Sequence, residues 1–241
     1  MRIDQYLVLN GYFDSRQKAI DAIKDNQIKL NDIIITKPSH IIKNTDILSV
    51  IDDQISFVSR AGFKLHHALK MFNIDLTGKV VFDIGSSTGG FTDCCLKCKA
   101  RMVYAIDVGS AQLVEKLRND ERVIVKENTN ARYLKKDDFS ILPDFICMDV
   151  SFISITLLIP MIAELLVMDK EAILLYKPQF EVGRSYLNKR GVVKDKKREV
   201  VVLSQIISLL ESYKLLESKY IQSPIKGRNG NTEYLIYVKK A

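Results

Sequence analysis

The 241-residue sequence lacks both an apolar run long enough to cross a membrane and a leader-like start. Its longest apolar run, from Phe152 to Met168, is broken by Pro160 and Glu164 and falls short of the roughly 20 residues of a spanning helix. We expect a buried helix there. Met1 leads directly into mixed sequence, without the apolar stretch of a secretory signal. These absences predict a cytoplasmic protein with no membrane partner.

Cysteine and histidine are also scarce, with four and three residues respectively. Cys94, Cys95 and Cys98 crowd into one segment, where mutual disulfides would be strained. The spacing of Cys95 and Cys98 is that of half a zinc knuckle, but no second cysteine or histidine pair completes it. We therefore expect small buried thiols and no metal site.

The lack of histidine after residue 67 excludes one class of enzyme. Gly85-Ser-Ser-Thr-Gly89 has the spacing of a hydrolase nucleophile elbow, with Ser87 as the nucleophile. That fold places its catalytic histidine after the serine. Because no downstream base could activate Ser87, the hydrolase interpretation fails.

What the sequence does contain predicts two unequal domains. Apolar residues between Ile3 and Leu7 share one helical face, and Ser15 is placed to cap a second helix. Alternating residues around Asn31-Asp32 predict a hairpin, and 46–51 predict one more strand. We expect a small α+β domain at residues 1–58, a linker at 59–62 and a larger domain at 63–241.

The larger domain alternates short apolar runs with helix-length segments, a pattern typical of a parallel, doubly wound α/β sheet. The end of the chain differs, because 215–221 and 234–238 predict two strands with no helix between them. We expect these two strands to form an antiparallel pair. The predicted strands before them are 80–84, 102–106, 123–125, 145–148 and 172–176.

The net charge of +7 comes from the last third of the chain, which holds 14 basic and 6 acidic residues from Lys177 onward. The densest cluster could contact a phosphate backbone, although a solvated helix start would give the same pattern. The cluster consists of Lys189, Arg190, Lys194, Lys196, Lys197 and Arg198.

The strongest local motif is Val81-Phe-Asp-Ile-Gly-Ser-Ser-Thr-Gly-Gly-Phe91, where a predicted strand meets a glycine turn and a helix. Glycines allow close approach of a ligand. Asp83 can reach a ligand amine, and Asp107, roughly twenty residues later, can accept both hydroxyls of an adenosine ribose. The spacing is not Gly-x-Gly-x-x-Gly, which disfavours nicotinamide and flavin cofactors. The candidate ligand contacts are Asp83, Gly85, Ser86, Ser87, Thr88, Gly89, Gly90, Phe91 and Asp107.

Four ionisable residues occupy positions typical of functional side chains. Asp149 and Lys177 follow the fourth and fifth strands of the larger domain, whose ends face the ligand crevice of an open sheet. Glu233 opens the last strand, and Lys64 lies early in the helix before the sheet. Singly, each could be a solvated strand end, an ion pair or a cap. Asp149 and Lys177 together favour a functional site.

These segments resemble the TlyA group, historically named haemolysins, which are ribosomal RNA 2′-O-methyltransferases related to the FtsJ enzymes. Ala61 stands where that group usually has a glycine, in the expected interdomain segment. Residues 1–60 resemble the RNA-binding domain of ribosomal protein S4, through Arg2-Ile-Asp-Gln-Tyr-Leu7, Ser15-Arg16, Asn31 and Lys37-Pro38. The matching segments are Ser59-Arg60…Lys64-Leu65, Asp83-x-Gly85…Gly89-Gly90-Phe91, Asp149-Val-Ser-Phe-Ile-Ser154, Lys177-Pro-Gln-Phe-Glu181 and Gly230-Asn-Thr-Glu233.

The resemblance implies a Rossmann-like class I methyltransferase fold, S-adenosylmethionine as cofactor and a catalytic tetrad. Lys177 would take the ribose hydroxyl proton, if desolvated beside another cation, or stay charged and stabilise the alkoxide. Asp149, which would also touch the cofactor, and Glu233 would orient the lysines, and either lysine could be the base. The adenine would lie near Asn128, Thr129 and Asn130. The implied tetrad is Lys64, Asp149, Lys177 and Glu233.

The implied substrate is a cytidine ribose in large-subunit ribosomal RNA, with the small subunit as an alternative. Relatives that modify both subunits tend to carry terminal extensions, so we expect the large subunit alone. The sequence does not give the oligomeric state, for which we favour a monomer. Pseudouridine synthases share the N-terminal module but need a Gly-Arg-Leu-Asp motif that is absent. The tetrad disfavours an inactive RNA-binding factor, and a pore-forming protein would need a spanning segment. The expected RNA contacts are Arg2, Arg16, Lys18, Lys37, Arg60, Lys189, Arg190, Lys196, Lys197 and Arg198.

Overall fold

The computed structural model describes residues 1–10, 12–13, 15–31, 33–43, 46, 48–50, 57–227 and 229–241. The chain forms two compact units, Met1–Ser56 and Phe57–Ala241. The expected linker at 59–62 therefore differs from the structure, where it belongs to the second unit. The segment is held there because the Phe57 ring packs edge-on against Phe63 and the Val58 amide donates to Asp93 at 2.9 Å.

The first unit packs two helices against a small antiparallel sheet with strand order β2-β1-β3. Ser15 caps the second helix, as predicted, by accepting a hydrogen bond from the Lys18 amide at 3.3 Å. Ile3, Leu7 and Ile23 are fully buried in its core. Asp32 of the predicted hairpin turn and residues 47 and 51 of the predicted strand lie outside the described residues. The elements are α1 (Ile3–Leu9), α2 (Arg16–Lys24), β1 (Ile28–Leu30), β2 (Ile33–Ile34) and β3 (Leu48–Val50).

The second unit alternates strands and helices before it ends on two consecutive strands. Its helices are α3 (Ala61–Met71), α4 (Gly90–Lys97), α5 (Glu115–Arg118), α6 (Ile159–Leu165), α7 (Pro178–Glu181) and α8 (Lys196–Ser212). Its strands are β4 (Val80–Ile84), β5 (Met102–Ile106), β6 (Val123–Lys126), β7 (Phe145–Met148), β8 (Glu171–Tyr176), β9 (Leu215–Gln222) and β10 (Tyr234–Lys240).

The seven strands form one sheet in the order β6-β5-β4-β7-β8-β10-β9. The first five strands are parallel, and β10 runs antiparallel between β8 and β9. The predicted parallel α/β sheet, with an antiparallel pair of strands at the end of the chain, is therefore confirmed. All five residues of β4 are buried because helices cover both faces of the sheet, which explains its continuous apolar run.

Alternate residues of each strand supply the two halves of the core. Val81 packs on the face covered by α3, α4 and α5, and Phe82 packs on the face covered by α6 and α8. From β4, the next two strands in the chain are added on one side of the sheet, and β7 and β8 are added on the other side. In an open α/β sheet, such a reversal leaves a ligand crevice at the carboxyl ends of the two strands where it occurs, here β4 and β7.

The apolar run from 152 to 168 was predicted as one buried helix, and this prediction was wrong in its first half. Helix α6 begins at Ile159, with Pro160 in its first turn. Proline is favoured in a first turn, where its missing amide hydrogen is not needed, and it could not donate to the carbonyl four residues back if the helix began earlier. Phe152 lies in a loop with φ +65° and is 92% exposed. No helix in the described parts of the chain is both long and apolar enough to cross a membrane.

The candidate active site

The glycine turn after β4 packs tightly against the loop that follows β7. Gly85 and Gly89 have φ values of +83° and +97°, a region that favours glycine. A Cβ at Gly85 would run into the carbonyl oxygen of Asp149. The turn therefore needs glycine to bring its backbone beside Asp149, and helix α4 starts directly after it.

Asp107 lies beyond the end of β5 and braces the same turn. Its two carboxylate oxygens accept backbone hydrogen bonds from Ser87 at 2.8 Å and Gly109 at 2.7 Å. Each oxygen retains a second lone pair, so the carboxylate can still accept a ligand hydroxyl. Both the turn and its acceptor are thus preorganised.

Three adjoining cavities open along the carboxyl edge of the sheet. The turn cavity, about 180 Å³, is lined by Gly85 to Thr88 together with Asp149 and Lys177. The strand-end cavity, about 470 Å³, lies between Asp107 and Asp149 and has walls from Ile84, Val150 and Leu158. The groove, about 900 Å³, is lined by Arg60, Lys64, Lys177, Gln179, Lys226 and Glu233.

Only part of the predicted adenine region lines the strand-end cavity. Thr129 and Asn130 line it, whereas Asn128 is exposed, and its backbone amide donates to the Gly109 carbonyl.

Glu127 organises the loop at residues 111–113 by accepting the backbone amides of these residues and pairing with Arg118 at 2.7 Å. The Arg118 guanidinium and these amides lower the pKa of Glu127 to about 2.

Lys177 and Asp149 form a close ion pair where the cavities meet. The lysine nitrogen lies 2.5 Å from the Asp149 carboxylate and donates to the Ser151 hydroxyl at 2.8 Å. Asp149 lines the turn and strand-end cavities, and Lys177 lines the turn cavity and the groove. Lys177 is only 8% exposed, so its charge acts in partly dehydrated surroundings where electrostatic interactions are strong.

Lys64 and Glu233 form a second ion pair that faces the groove. The lysine nitrogen lies 2.6 Å from the Glu233 carboxylate, which also accepts a long hydrogen bond from the Gln179 amide at 3.4 Å. Lys64 is in the first turns of α3 and Glu233 immediately precedes β10. The four tetrad positions thus form two lysine–carboxylate pairs, and each lysine has its own anion. Lys64, Lys177 and Glu233 line the groove, whereas Asp149 lines the two smaller cavities.

Asp83 differs from its expected position facing a ligand amine. Its side chain is fully buried beneath the turn, where one oxygen accepts the Thr92 hydroxyl at 2.6 Å. Its other carboxylate oxygen is buried with no hydrogen-bond partner. Burial, opposed by the Thr92 hydrogen bond and reinforced by the nearby negative charge of Asp149, raises the pKa of Asp83 to about 7. The sequence placed this residue on the right strand, but could not reveal its depth.

Two models of known protein families match the chain. The model of FtsJ-like methyltransferases matches residues 57–240, and the S4 domain model matches residues 1–48. The chain belongs to the FtsJ-like methyltransferase family. The expected resemblance, the Rossmann-like methyltransferase fold with an N-terminal S4 domain and the methyltransferase class are thereby confirmed.

Curated relatives match almost the whole chain. Hemolysin A of Brachyspira hyodysenteriae is 44% identical over 98% of this chain and 99% of its own length. The 23S rRNA (cytidine-2′-O)-methyltransferase TlyA of Campylobacter jejuni is 36% identical, covering 98% of this chain and 90% of its own. The 16S/23S rRNA (cytidine-2′-O)-methyltransferase TlyA of Mycobacterium tuberculosis is 36% identical over 99% and 89%.

A crystal structure of a Lactococcus lactis protein described as a hemolysin is also similar. It is 43% identical, with a TM-score of 0.74, over 77% of this chain and 89% of that chain. The share of this chain that is covered is close to the extent of its FtsJ-like methyltransferase unit.

The FtsJ-like methyltransferase unit has site residues that sequence reasoning did not select. Glu181, the last residue of α7, holds the segment that follows β7, because it accepts the Ser154 hydroxyl at 2.6 Å and the Ile155 amide at 2.9 Å. Burial raises the pKa of Glu181. Ser151 lines all three cavities, and Phe152 lines two. Ser151 and Phe152 belong to the motif at 149–154, in which the sequence alone points only to the aspartate. Ala61, expected in the interdomain segment, is the first residue of α3 and lines the turn cavity.

The residues expected to bind RNA are not equally placed. In the S4 domain, Arg2 and Arg16 both hold the buried Asp4 carboxylate, at 3.0 and 2.9 Å, and lower its pKa. Lys18 and Lys37 are exposed on the same unit.

In the FtsJ-like unit, the expected RNA contacts also differ in surroundings. Arg60 lines the groove, and Lys189, Arg190 and Lys197 are exposed. Two others already have internal contacts. Lys196 pairs with the buried Glu199 at 2.9 Å, and Arg198 lies 5.2 Å from the centre of the Tyr186 ring.

Proposed function

We propose that this protein transfers a methyl group from S-adenosylmethionine to the ribose 2′-hydroxyl of a cytidine in 23S ribosomal RNA. One observation carries the proposal. The Lys177–Asp149 pair lies at the boundary between the cavities beside the glycine turn and a groove lined by basic residues. A methyl donor on one side and a nucleic acid on the other would meet at these two side chains.

The two smaller cavities fit the methyl donor. The strand-end cavity combines apolar walls with the Asp107 carboxylate, which suits an adenosine whose ribose hydroxyls need an acceptor. The turn cavity leads from it past Gly85, where a Cβ would fill the space beside Asp149. When bound, S-adenosylmethionine supplies an electrophilic methyl group on a sulfonium.

Lys177 is placed to act on the ribose hydroxyl. A carboxylate beside an ammonium stabilises its charged form, so the Asp149 contact favours Lys177 as a hydrogen-bond donor to the developing alkoxide. Asp149 contacts the same lysine nitrogen and is a group able to accept the hydroxyl proton. The donation from Lys177 to Ser151 fixes the direction of the ammonium.

The groove suits an unpaired nucleotide rather than a duplex. Arg60 and Lys226 line it and would attract phosphates. Lys64 and Lys177 also line it, but each is already paired with a carboxylate. Phe152 lines the same groove, is 92% exposed and lies 5.3 Å from the Phe180 ring. An exposed aromatic ring beside a basic groove is suited to stack on an unstacked base, which is how single-stranded RNA is recognised. The S4 domain would supply further RNA contacts.

The relatives support a cytidine ribose in ribosomal RNA as the substrate. TlyA of Campylobacter jejuni is named for 23S rRNA, and that of Mycobacterium tuberculosis for both 16S and 23S rRNA. The large-subunit RNA is common to both, so it is the substrate that we propose.

The test uses purified protein, labelled S-adenosylmethionine, and ribosomal RNAs and subunits from a strain that lacks the gene. We expect label in 23S rRNA and one new linkage that resists alkaline cleavage after a cytidine, because a methylated 2′-oxygen cannot attack the neighbouring phosphate. A methyl group on a base, or no transfer to any ribosomal substrate, would refute the proposal. Label in 16S rRNA as well would extend the substrate to both subunits.

A further inference from the structure

Residues 187–193 form a tight hairpin on the FtsJ-like unit. Leu187 and Val193 pair as an isolated antiparallel bridge, and the Asn188 amide donates to the Val192 carbonyl at 2.8 Å. The Asn188 side chain closes the turn by accepting the Arg190 amide at 2.8 Å and the Val192 amide at 3.0 Å. The tip therefore has a defined shape and presents Lys189 and Arg190 to solvent.

Asn231 attaches this hairpin to the strand segment that carries Glu233. Its side-chain oxygen accepts the Val193 amide at 3.0 Å, and its side-chain nitrogen donates to the Gly191 carbonyl at 2.9 Å. Asn231 is 3% exposed, so water does not compete for these bonds. Removing the amide would leave two backbone groups without their partner, which costs more than an exposed hydrogen bond.

The attachment places the hairpin at the groove. Leu187 and Gly191 line the groove together with Lys226 and Glu233. Glu233 follows Asn231 by two residues and holds Lys64. One short segment thus fixes both the basic hairpin and the ion pair inside the groove.

Within the part of the chain that the structure describes, the tip cations Lys189 and Arg190 form no ion pair. Lys196 and Arg198, in the same basic cluster, contact Glu199 and Tyr186, whereas Lys189 and Arg190 are exposed beside the groove. Exposed cations on a preorganised loop are suited to bind a phosphate backbone, because little flexibility is lost when the contacts form.

We propose that hairpin 187–193 binds the RNA backbone at the mouth of the groove and that Asn231 is the positioning residue that holds it there. The inference rests on the proposed function, since it names the element that binds the substrate RNA. Asn231 itself touches no RNA and acts through Lys189 and Arg190.

The test measures the affinity for a 23S rRNA transcript at several salt concentrations, without cofactor. Replacing both tip cations (Lys189→Ala with Arg190→Ala) should weaken binding about tenfold and reduce the salt slope by about 1.5. Asn231→Ala should have the same two effects. Asn231→Ala combined with the two tip substitutions should be no weaker than either, because the residues act through one contact. Arg101→Ala with Lys116→Ala removes the same charge away from the groove and should change affinity much less.

An unchanged salt slope in Asn231→Ala, or effects that add in the combined variant, would overturn the inference. Asn188→Ala is a second variant, in case Asn231→Ala fails to fold. Asn188 is exposed and organises the tip without filling the core, so its replacement should leave the fold intact and weaken binding similarly. Affinity for S-adenosylmethionine should be unchanged in all variants. The test measures RNA affinity and not activity. If the variants showed the expected changes in affinity and salt slope but the protein transferred no methyl group, the proposed function would be refuted and this inference would stand.

Discussion

The two lysines of the candidate site have similar partners but different surroundings. Each is about nine-tenths buried and each pairs with a carboxylate, Lys177 with Asp149 and Lys64 with Glu233. Lys177 borders both the turn cavity and the groove, whereas Lys64 borders the groove. We therefore propose that Lys177 acts on the reacting hydroxyl and that Lys64 positions the RNA and the groove wall.

The largest effect should follow from Lys177→Ala. Removing a donor that stabilises developing charge should lower turnover about 10³-fold, because the alkoxide loses its nearest ammonium. Steady-state methylation of 23S rRNA measures turnover, and calorimetry measures cofactor affinity. We expect cofactor affinity to stay within about threefold, since Asp107 and the glycine turn remain. If Lys177→Ala kept turnover within tenfold of the wild type, Lys177 would not be the lysine that acts on the reacting hydroxyl.

Lys64→Ala should combine a smaller catalytic effect with a large effect on stability. Displacement of the groove wall should lower turnover by about 10²-fold. The buried Glu233 carboxylate would be left unpaired, which costs about 3–5 kcal/mol of unfolding free energy. Denaturant unfolding measures this loss.

A double variant separates the two effects at this position. Lys64→Met with Glu233→Gln removes both charges, so stability should return to within about 1 kcal/mol of the wild type. Methylation should stay low, because the groove wall still lacks its ion pair. If activity returned together with stability, Lys64 would have no role beyond folding.

Phe152→Ala should act on RNA binding and leave both ion pairs intact. Loss of one stacking platform should raise KM for the RNA about tenfold, with a small change in kcat. Melting temperature should hardly change, because the ring is 92% exposed. Met168→Ala, at a residue that is 71% exposed and does not line the groove, is the matched control. Equal KM values for the Phe152 and Met168 variants would show that Phe152 does not bind the RNA.

An effect confined to stability is expected for Asp83, a buried carboxyl that, unlike Asp149 and Glu233, has a hydroxyl partner instead of a lysine. Its folded-state pKa of about 7 lies above the ordinary value, so the folded protein keeps a proton that the unfolded chain loses. Stability should therefore fall as pH rises from about 4 to about 7, by at most about 1.4 kcal/mol per pH unit. Asp83→Asn should flatten this dependence in thermal melts of the apoprotein. Parallel curves for the two proteins would show that Asp83 is ionised in the fold.

The sequence predicted the order of elements because the parallel strands are buried on both faces and read as continuous apolar runs. It also located Asp149 and Lys177 at strand ends, where the crevice of an open sheet lies. It could not assign Lys64 to Glu233, because these residues are 169 positions apart and their contact depends on the whole sheet.

Features that depend on loop geometry were also beyond the sequence. Phe152 lies in a loop where its backbone takes a positive φ, and its exposure is the opposite of what its apolar character predicts. Asn231 looked like part of a motif around Glu233, and only the folded hairpin shows what its amide holds. Local patterns reveal where strands end, whereas long-range hydrogen bonds determine what meets there.

The most direct test of the account compares Lys177→Ala and Lys64→Ala in single-turnover methylation of 23S rRNA, with RNA and S-adenosylmethionine both saturating. Under these conditions binding defects no longer contribute, so the rate reports on transfer to the 2′-hydroxyl. We expect Lys177→Ala to be at least about tenfold slower than Lys64→Ala. Equal rates, or a slower Lys64→Ala, would contradict the assignment of the reacting hydroxyl to the Lys177–Asp149 pair.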